Sequence, residues 1–155
     1  MSNALTIDEQ MMSLALEQAR LAGAHDEIPV GAVVSLKGRV IGKGYNLTRR
    51  MQDAMLHAEI VALRQAASRL GNWYMHDCTL YVTLEPCTQC AGTILLARLG
   101  RLVYGASEPK FGACGSVYNL LDTPQLNHRI EVTRGVMEIE CAELLKDFFL
   151  DLRSR

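Results

Sequence analysis

The chain is organised around the stretch Thr83-Leu84-Glu85-Pro86-Cys87-Thr88-Gln89-Cys90, in which two cysteines are separated by two residues. An apolar run over residues 91–99 follows, and proline is common at the first helical position, so the sequence predicts a helix that begins at these cysteines. The positive end of a helix dipole stabilises thiolates, the form of cysteine that binds metal or attacks. Taken alone, a Cys-x-x-Cys pair fits a redox dithiol, half of a structural zinc site or a catalytic site.

A second motif, His57-Ala58-Glu59, lies upstream and is followed by apolar residues at helical spacing. The pattern predicts a helix that begins at His57. One histidine with Cys87 and Cys90 gives three ligands for Zn²⁺, and the fourth tetrahedral position stays open for water, as in catalytic zinc sites. Glu59 is then a spare carboxylate that can carry protons to and from that water.

Composition limits the remaining classes. The 155 residues are 49% hydrophobic and contain no linker, repeat or low-complexity tract, so we expect a single domain over residues 1–155. The formal net charge of −1 excludes a protein that binds nucleic acid through a strongly positive surface overall. A local basic face would have to be gathered by folding from scattered cations, namely Arg49, Arg50, Lys110, Arg129, Arg134, Arg153 and Arg155.

The cellular setting is expected to be the cytoplasm, without contact to a membrane. No basic region followed by an apolar run is seen at the N-terminus, and no apolar stretch is long enough to cross a bilayer. Five cysteines is an odd number, and two of them belong to the metal motif. We therefore do not expect a disulfide framework.

Periodicity divides the chain into an α-β-β-α-β-α-β-β-α order. It predicts helices over residues 7–23, 57–70, 86–100 and 137–152, and strands over residues 30–36, 39–45, 78–84, 101–105 and 130–133. Residues 106–119 and the Arg49-Arg50 segment are predicted as loops, and Trp73 and Tyr74 are expected in core or loop packing. The order predicts an α/β fold, a mixed sheet of about five strands with helices on both faces.

The two motifs together fit the H-x-E…P-C-x-x-C signature of the zinc nucleobase deaminases. The chain also resembles the bacterial tRNA-specific adenosine deaminases over nearly its whole length, most clearly in residues 29–33, 44–46, 83–87, 110–116 and 127–129. This resemblance implies a three-layer α/β/α cytidine-deaminase-like fold. It also implies a homodimer with one Zn²⁺ per subunit, held by His57, Cys87 and Cys90, with Glu59 as the catalytic proton carrier.

The same resemblance implies an activity, the hydrolytic deamination of adenosine to inosine at the wobble position of a tRNA anticodon loop, most often that of an arginine tRNA. It assigns contacts with the anticodon stem-loop to Lys110, Phe149 and Arg153, and contact with the target base to Asn46. Spacing alone instead favours Asn46 as a turn residue at the end of a strand.

Alternatives stay open at this point. The metal motifs do not separate this activity from the deamination of a free guanine, cytosine or cytidine. A non-catalytic zinc or redox module is a third reading, which a fourth protein ligand or reversible oxidation of Cys87 and Cys90 would support. The chain departs from the family at Glu108, where Asp is more common, and at Thr88-Gln89 between the cysteines.

The homodimer has a further basis in the apolar residues of the predicted cysteine helix. Ile94, Leu95, Leu96 and Leu99 surround this helix and cannot all face one sheet. If some of them meet a partner subunit, an isolated subunit would expose them.

Overall fold

Short connections join five strands and five helices in the computed structural model, which describes residues 4–155. In chain order the elements are α1 (Ile7–Ala24), β1 (Gly31–Leu36), β2 (Arg39–Tyr45), α2 (Thr48–Met51), α3 (Ala58–Leu70), β3 (Cys78–Leu84), α4 (Thr88–Leu96), β4 (Arg101–Ala106), a 3₁₀ turn (Leu120–Asp122), β5 (Glu131–Thr133) and α5 (Glu138–Arg153). The predicted order of the main elements is confirmed. The structure adds α2 and the 3₁₀ turn to it.

The five strands form one mixed sheet in the order β2-β1-β3-β4-β5. Strand β1 is antiparallel to β2 and β3, whereas β3, β4 and β5 are parallel. This arrangement places the ends of β2, β3 and β4 and the start of β1 at one edge, as the pairs Gly31 with Tyr45 and Leu84 with Ala106 show. Open α/β sheets commonly bind ligands at such an edge.

Helices cover both faces of the sheet, as predicted. On one face α1 and α5 pack on the sheet, and Met12 and Leu16 of α1 lie in the same buried hydrophobic cluster as Val33 of β1. Helices α3 and α4 pack on the other face, where Ala62 of α3 and Val34 of β1 lie in a second buried hydrophobic cluster. The alternation of β1 side chains between the two clusters is the period-two pattern of a strand buried on both faces.

Gly42 sets how closely α3 approaches the sheet. A Cβ atom at this position would lie 2.3 Å from the carbonyl oxygen of Ala62 and 2.9 Å from the backbone nitrogen of Ala66. Any larger residue would push α3 outward, since a Cβ does not approach backbone atoms this closely. Glycine therefore lets the helix that starts after His57 lie directly on β2.

The local signals at the start of the chain are confirmed. The Thr6 hydroxyl accepts a hydrogen bond from the Glu9 N–H at 3.1 Å, and the Glu9 carboxylate accepts one from the Thr6 N–H at 3.0 Å, which together form the predicted capping box. In the β1–β2 hairpin Lys37 and Gly38 both have positive φ, 51° and 77°. These angles fit the two-residue type I′ turn, which matches the twist of paired strands.

Two local predictions differ from the structure. Helix α4 ends at Leu96, not near residue 100, because Arg98 adopts a left-handed φ of 57° and the chain turns to bury Leu99. The Arg49-Arg50 segment lies in α2 and not in a loop. The reason is that the buried carboxylate of Glu27 accepts hydrogen bonds from both N–H groups at this helix's start, at 2.7 and 3.1 Å.

Trp73 and Tyr74 do not join the core. Their side chains are 59% and 44% exposed, and their rings stack on each other with centroids 4.1 Å apart. Of the two settings expected for these residues, core or loop, the structure shows packing within the loop. Among residues 4–155, no helix combines the length and the hydropathy needed to cross a bilayer.

Candidate active site

The two sequence motifs meet at the sheet edge where β3 ends. His57 is the N-terminal cap residue of α3, and Cys87 is the cap residue of α4, with Cys90 in the first turn that follows. His57 Nδ1 lies 3.5 Å from the Sγ atom of Cys87 and 3.5 Å from that of Cys90. Cys90 is fully buried, and the other two are half-buried, so the cluster is open on one side.

The geometry of these atoms fits a tetrahedral zinc ion. Zinc bonds of about 2.0 Å to nitrogen and 2.3 Å to sulfur at tetrahedral angles place N and S about 3.5 Å apart. The potential ligand atoms of the three residues all lie within 4.8 Å of one another. Within residues 4–155 no further His, Cys, Asp or Glu joins this cluster. Three donors leave a tetrahedral position for water, as in catalytic rather than closed structural sites.

The cluster favours the thiolate form of Cys87. A hydrogen bond from Cys90 is the main cause that lowers the pKa of Cys87 to about 4, with help from His57 and against the effect of burial. The same bond, with burial, raises the pKa of Cys90. The hydrogen bond with Cys87 raises the pKa of His57 although burial opposes it. One thiolate is thus already stabilised at neutral pH.

Glu59 lies in the first turn of α3 and is only 4% exposed. It lines the same cavity as His57 and Cys87 without being a member of the metal cluster. Burial raises the pKa of its carboxyl, and a backbone hydrogen bond and the charge of His57 partly oppose this. The carboxyl group is therefore placed beside the cluster, where the sequence motif predicted a proton carrier.

A cavity of about 690 Å³ opens beside the cluster. Three predicted site residues from other parts of the chain line it, namely Asn46 from the end of β2, Lys110 from the loop after β4 and Phe149 from α5. The rest of its wall is mainly apolar, and includes Ile28, Val30, Leu84, Pro109, Phe111 and Leu145. A planar ring of nucleobase size fits such a mostly apolar site with a few polar groups.

Asn46 supplies an unpaired acceptor in this cavity. The residue is 6% exposed, and its backbone N–H donates to the carbonyl oxygen of Val30 at 3.2 Å. Its side-chain Oδ1 has no hydrogen-bond partner in the part of the chain that the structure describes. A buried acceptor without a partner is unfavourable by about 1–3 kcal/mol, so this amide is suited to receive a donor from a ligand.

Glu85 anchors the loop that carries Lys110. Its buried carboxylate accepts hydrogen bonds from the N–H groups of Glu108, Cys114 and Ser116 at 3.0–3.1 Å, and from the Ser116 hydroxyl. Burial alone would raise the pKa of Glu85, but these hydrogen bonds outweigh it and hold the pKa below its usual value. The end of β3, immediately before Pro86, therefore fixes one wall of the cavity.

A second, smaller cavity of about 450 Å³ adjoins the first, since Lys110 and Phe149 line both. Its other lining residues are Lys146, Leu152 and Arg153, all from α5. The predicted contact residue Arg153 thus lies here and not in the cavity that holds the metal cluster. Three cations and one aromatic ring are brought together beside the opening.

The other cations of the expected basic face do not join this cavity. Arg129 lies 3.6 Å from Asp122, and Arg155 forms ion pairs with Asp26 and Asp151 at 3.0 and 2.9 Å. Folding therefore gathers only Lys110 and Arg153 from the cations considered in the sequence.

Three residues of the site were not singled out from the sequence as functional: Glu85, Phe111 and Lys146. Lys146 was detectable, because it precedes Phe149 by three residues and Arg153 by seven and so shares their helical face. Glu85 carried a weaker signal, a lone carboxylate between an apolar strand and Pro86. Phe111 carried none beyond its position beside Lys110.

Comparison with known proteins places the chain in a family. The model of the MafB19-like deaminase family matches residues 7–153. A tRNA-specific adenosine deaminase of Haemophilus influenzae is 51% identical, with 95% of this chain and 86% of the relative covered. The Bacillus subtilis protein of the same name is 41% identical, with coverage of 97% and 94%.

Solved structures agree with this placement. One from a study of A-to-I editing by tRNA:A34 deaminases at the wobble position is 47% identical, has a TM-score of 0.84, and covers 87% of this chain and 98% of its own. A guanine deaminase from Nitrosomonas europaea is 26% identical with a TM-score of 0.80, covering 94% and 86%. The predicted cytidine-deaminase-like fold is thereby confirmed. The chain belongs to the tRNA-specific adenosine deaminase family.

Proposed function

We propose that this protein catalyses the hydrolytic deamination of adenosine to inosine at the wobble position of a tRNA anticodon loop. The observation that carries the proposal is that one cavity joins the metal-binding cluster, the buried carboxylate of Glu59 and the unpaired oxygen of Asn46. Family membership supports an RNA substrate, because relatives at 41% and 51% identity are named tRNA-specific adenosine deaminases.

One Zn²⁺ per subunit is part of the proposal, with His57, Cys87 and Cys90 as its ligands. The donor set supports it, because one imidazole and two thiols at these distances fit tetrahedral zinc. When bound, zinc lowers the pKa of a water ligand toward about 7 and so provides a nucleophile near neutral pH.

Glu59 is the proposed proton carrier. The overall reaction converts adenosine and water into inosine and ammonia, so one ring nitrogen must gain a proton while the amine leaves. In our proposal Glu59 takes one proton from the attacking water and gives it to the ring nitrogen beside the amine-bearing carbon, and later delivers the second proton of water to the departing ammonia. A positioned acid or base contributes about 10²–10⁴ in rate to such a step.

The cavity walls supply the contacts with RNA in this proposal. Asn46 accepts a hydrogen bond from the edge of the target base, and His57 lies beside that base. Lys110, Phe149 and Arg153 contact the flanking nucleotides, where the second cavity places cations next to an aromatic ring. Proteins bind single-stranded nucleic acid with this combination of positive charge and aromatic faces.

A structured loop is the preferred substrate for two reasons. With a net charge of −1, the protein has little overall attraction for phosphate, so affinity depends on shape and local contacts. An unpaired base in an anticodon loop can be turned into a pocket at low cost. We propose the anticodon arm of an arginine tRNA as substrate, and hence a cytoplasmic location, where tRNA is used.

A homodimer is also proposed. Of the four apolar residues that suggested it, Ile94 and Leu99 are buried within the subunit, whereas Leu96 is 75% exposed. Met55 is 61% exposed, and its carbonyl oxygen accepts a hydrogen bond from Gln89 at the start of the same helix. The exposed side chains of Leu96 on α4 and of Met55, whose backbone contacts the start of α4, support a subunit interface here. Sedimentation that finds only monomers at micromolar concentration would exclude it.

We also propose that residues 1–155 form one domain. The family model extends over residues 7–153, and both hydrophobic clusters share the single sheet. Limited proteolysis tests this point, because a single domain should yield no stable internal fragment.

The deciding experiment compares substrates for the zinc-loaded protein. Ammonia release and inosine formation are measured with an anticodon stem-loop, free adenosine, free cytidine and free guanine at equal concentration and fixed salt. Guanine is included because a guanine deaminase shares the fold at 26% identity. We expect the stem-loop to react fastest. Equal or faster turnover of a free base or nucleoside would refute the tRNA assignment.

The remaining alternative is a non-catalytic zinc or redox module. It would be supported if the zinc-loaded protein released no ammonia from any of these substrates while Cys87 and Cys90 were oxidised reversibly. The three-membered cluster argues against a closed structural site, since such sites have four protein ligands.

A further inference from the structure

Phe111 is an exposed aromatic residue at the cavity mouth. Its side chain is 68% exposed, yet it lines the cavity that also contains His57, Glu59 and Asn46. Single exposed apolar side chains are ordinary on protein surfaces. An aromatic ring at the opening of a site that takes a nucleobase is different, because every base offers a flat face on which such a ring can stack.

The backbone on both sides of Phe111 is fixed in place. The Lys110 N–H donates to the Glu108 carboxylate at 2.9 Å, and the Gly112 N–H donates to the Glu108 carbonyl oxygen at 2.9 Å. A Cβ atom at Gly112 would lie 2.4 Å from Glu85 Oε2, so this residue is seated directly against the anchoring carboxylate. The ring is presented by an ordered loop, which lowers the entropic cost of binding.

The surroundings of Phe111 carry positive charge. Lys110 precedes it and lines both cavities, and Lys146 and Arg153 complete the second cavity next to Phe149. A phosphate backbone that follows these cations would pass the mouth of the first cavity, beside Phe111. Aromatic rings and cations therefore line the two adjoining cavities together, a combination that proteins use to bind single-stranded RNA.

We propose that Phe111 stacks on the base of a nucleotide adjacent to the target adenosine; this inference rests on the proposed function. When the target base leaves its stack to enter the cavity, its neighbour loses a stacking partner. The Phe111 ring replaces that partner. Removing a stacked aromatic side chain costs a factor of about 5–150 in binding, so the kcat/KM of F111A on a stem-loop should fall by about this factor.

The test uses the zinc-loaded full chain, four variants of Phe111 and one control variant. F111W and F111Y keep a stacking face and should stay within about threefold of the unmodified protein, whereas F111A and F111L should both lose activity. Y118A is the matched control, because Tyr118 lies on the same loop, is 62% exposed and does not line the cavity. It should leave kcat/KM unchanged.

A second arm removes the base instead of the ring. Stem-loops with an abasic nucleotide on the 5′ or the 3′ side of the target adenosine are compared with the intact stem-loop. We expect one of them to react more slowly with the unmodified protein, and F111A to show no further loss on that substrate. Such non-additivity measures the contact itself.

Each outcome has one meaning. Equal losses of F111A on intact and abasic substrates, or full activity of F111L, would refute the stacking role. A shift of F111A from dimer to monomer in sedimentation would assign the ring to a subunit interface and also refute it. If the unmodified protein does not deaminate the stem-loop at all, the proposed function fails. Activity that F111A retains in full refutes only the inference about Phe111.

Discussion

The substitution Glu85→Gln tests how the cavity wall is held. It keeps the size of the side chain but turns one acceptor oxygen into an NH₂ donor. Glu85 Oε1 accepts from the Glu108 N–H and the Ser116 hydroxyl, and Oε2 accepts from the N–H groups of Cys114 and Ser116. The amide loses least with its NH₂ group on the Oε1 side, where the Ser116 hydroxyl can accept a hydrogen bond from it but the Glu108 N–H has no acceptor. One of the four hydrogen bonds is then lost, and the other three no longer involve a charged carboxylate.

The expected cost follows from the lost bond and from the lost charge. A hydrogen bond to a charged acceptor contributes about 1.5–3 kcal/mol and a neutral one about 0.5–1.5 kcal/mol, so one lost bond and three weakened ones have an upper range of about 3–6 kcal/mol. Ser116 is exposed and Glu108 is half-buried, so water can replace part of this loss, which reduces the expected decrease in the free energy of unfolding to about 2–4 kcal/mol. For a chain of this length that corresponds to a Tm lower by about 5–15 °C.

The assay is thermal unfolding at neutral pH with zinc bound, combined with amide hydrogen exchange. The N–H groups of Glu108, Cys114 and Ser116 should exchange faster in E85Q, and S116A should show a smaller loss of about 1 kcal/mol because only the hydroxyl donor is removed. E143Q, at an exposed position of α5, is the control. If E85Q matches the unmodified protein in both Tm and exchange, the anchoring role is refuted.

Three further predictions concern the metal, pH and salt. C87A should lose bound zinc and turnover together, whereas E59A should keep zinc and its fold but lose at least about 10²-fold in kcat. Zinc analysis combined with a deamination assay checks both expectations. Near-normal turnover of E59A would contradict the mechanism. D8N should reduce the free energy of unfolding by about 1–2 kcal/mol at pH 7, because the Arg101 guanidinium binds Asp8 at 2.7 Å and holds its pKa below 3.8. A carboxyl group whose pKa is lowered by folding stabilises the fold at pH values above its pKa in the unfolded chain. Urea titrations should therefore show that the difference in the free energy of unfolding between D8N and the unmodified protein shrinks as the pH falls below 3.8. A constant difference would contradict this. A plot of the logarithm of RNA affinity against the logarithm of salt concentration should have a slope of about −2, since the second cavity offers three cations. A slope steeper than about −4 would require other contacts.

Much of the fold could be predicted because its signals are local. The capping box at Thr6 and Glu9, the Lys37-Gly38 turn and the strand Cys78–Leu84 each depend on residues within one short segment, and the structure confirms them. The metal cluster was accessible for the same reason. Two short motifs, each at the start of a helix, were enough to bring His57 to the cysteines once both helices began at one sheet edge.

What could not be predicted depends on distant contacts. Helix α2 begins where it does because the Glu27 carboxylate accepts hydrogen bonds from the N–H groups of Arg49 and Arg50, which lie 22 and 23 positions away in the sequence. The network of Glu85 spans 23–31 positions and satisfies backbone groups, which no side-chain pattern reveals. Helix propensity and hydrophobic periodicity reveal neither the start of α2 nor the hydrogen bonds of Glu85, since both features are set by tertiary packing.

The metal cluster and the residues that we propose to bind RNA come from different parts of the chain. The metal cluster and Glu59 sit at helix starts on the rigid sheet edge, whereas the loop after β4 and helix α5 supply Lys110, Phe111 and Arg153. Substitutions in the loop or α5 can therefore change the substrate while the cluster stays in place. A guanine deaminase shares the fold with a TM-score of 0.80 at 26% identity, so the fold alone does not fix which base is deaminated. The residues at the cavity mouth must therefore decide which substrate is bound, because the metal motifs alone do not distinguish one base from another.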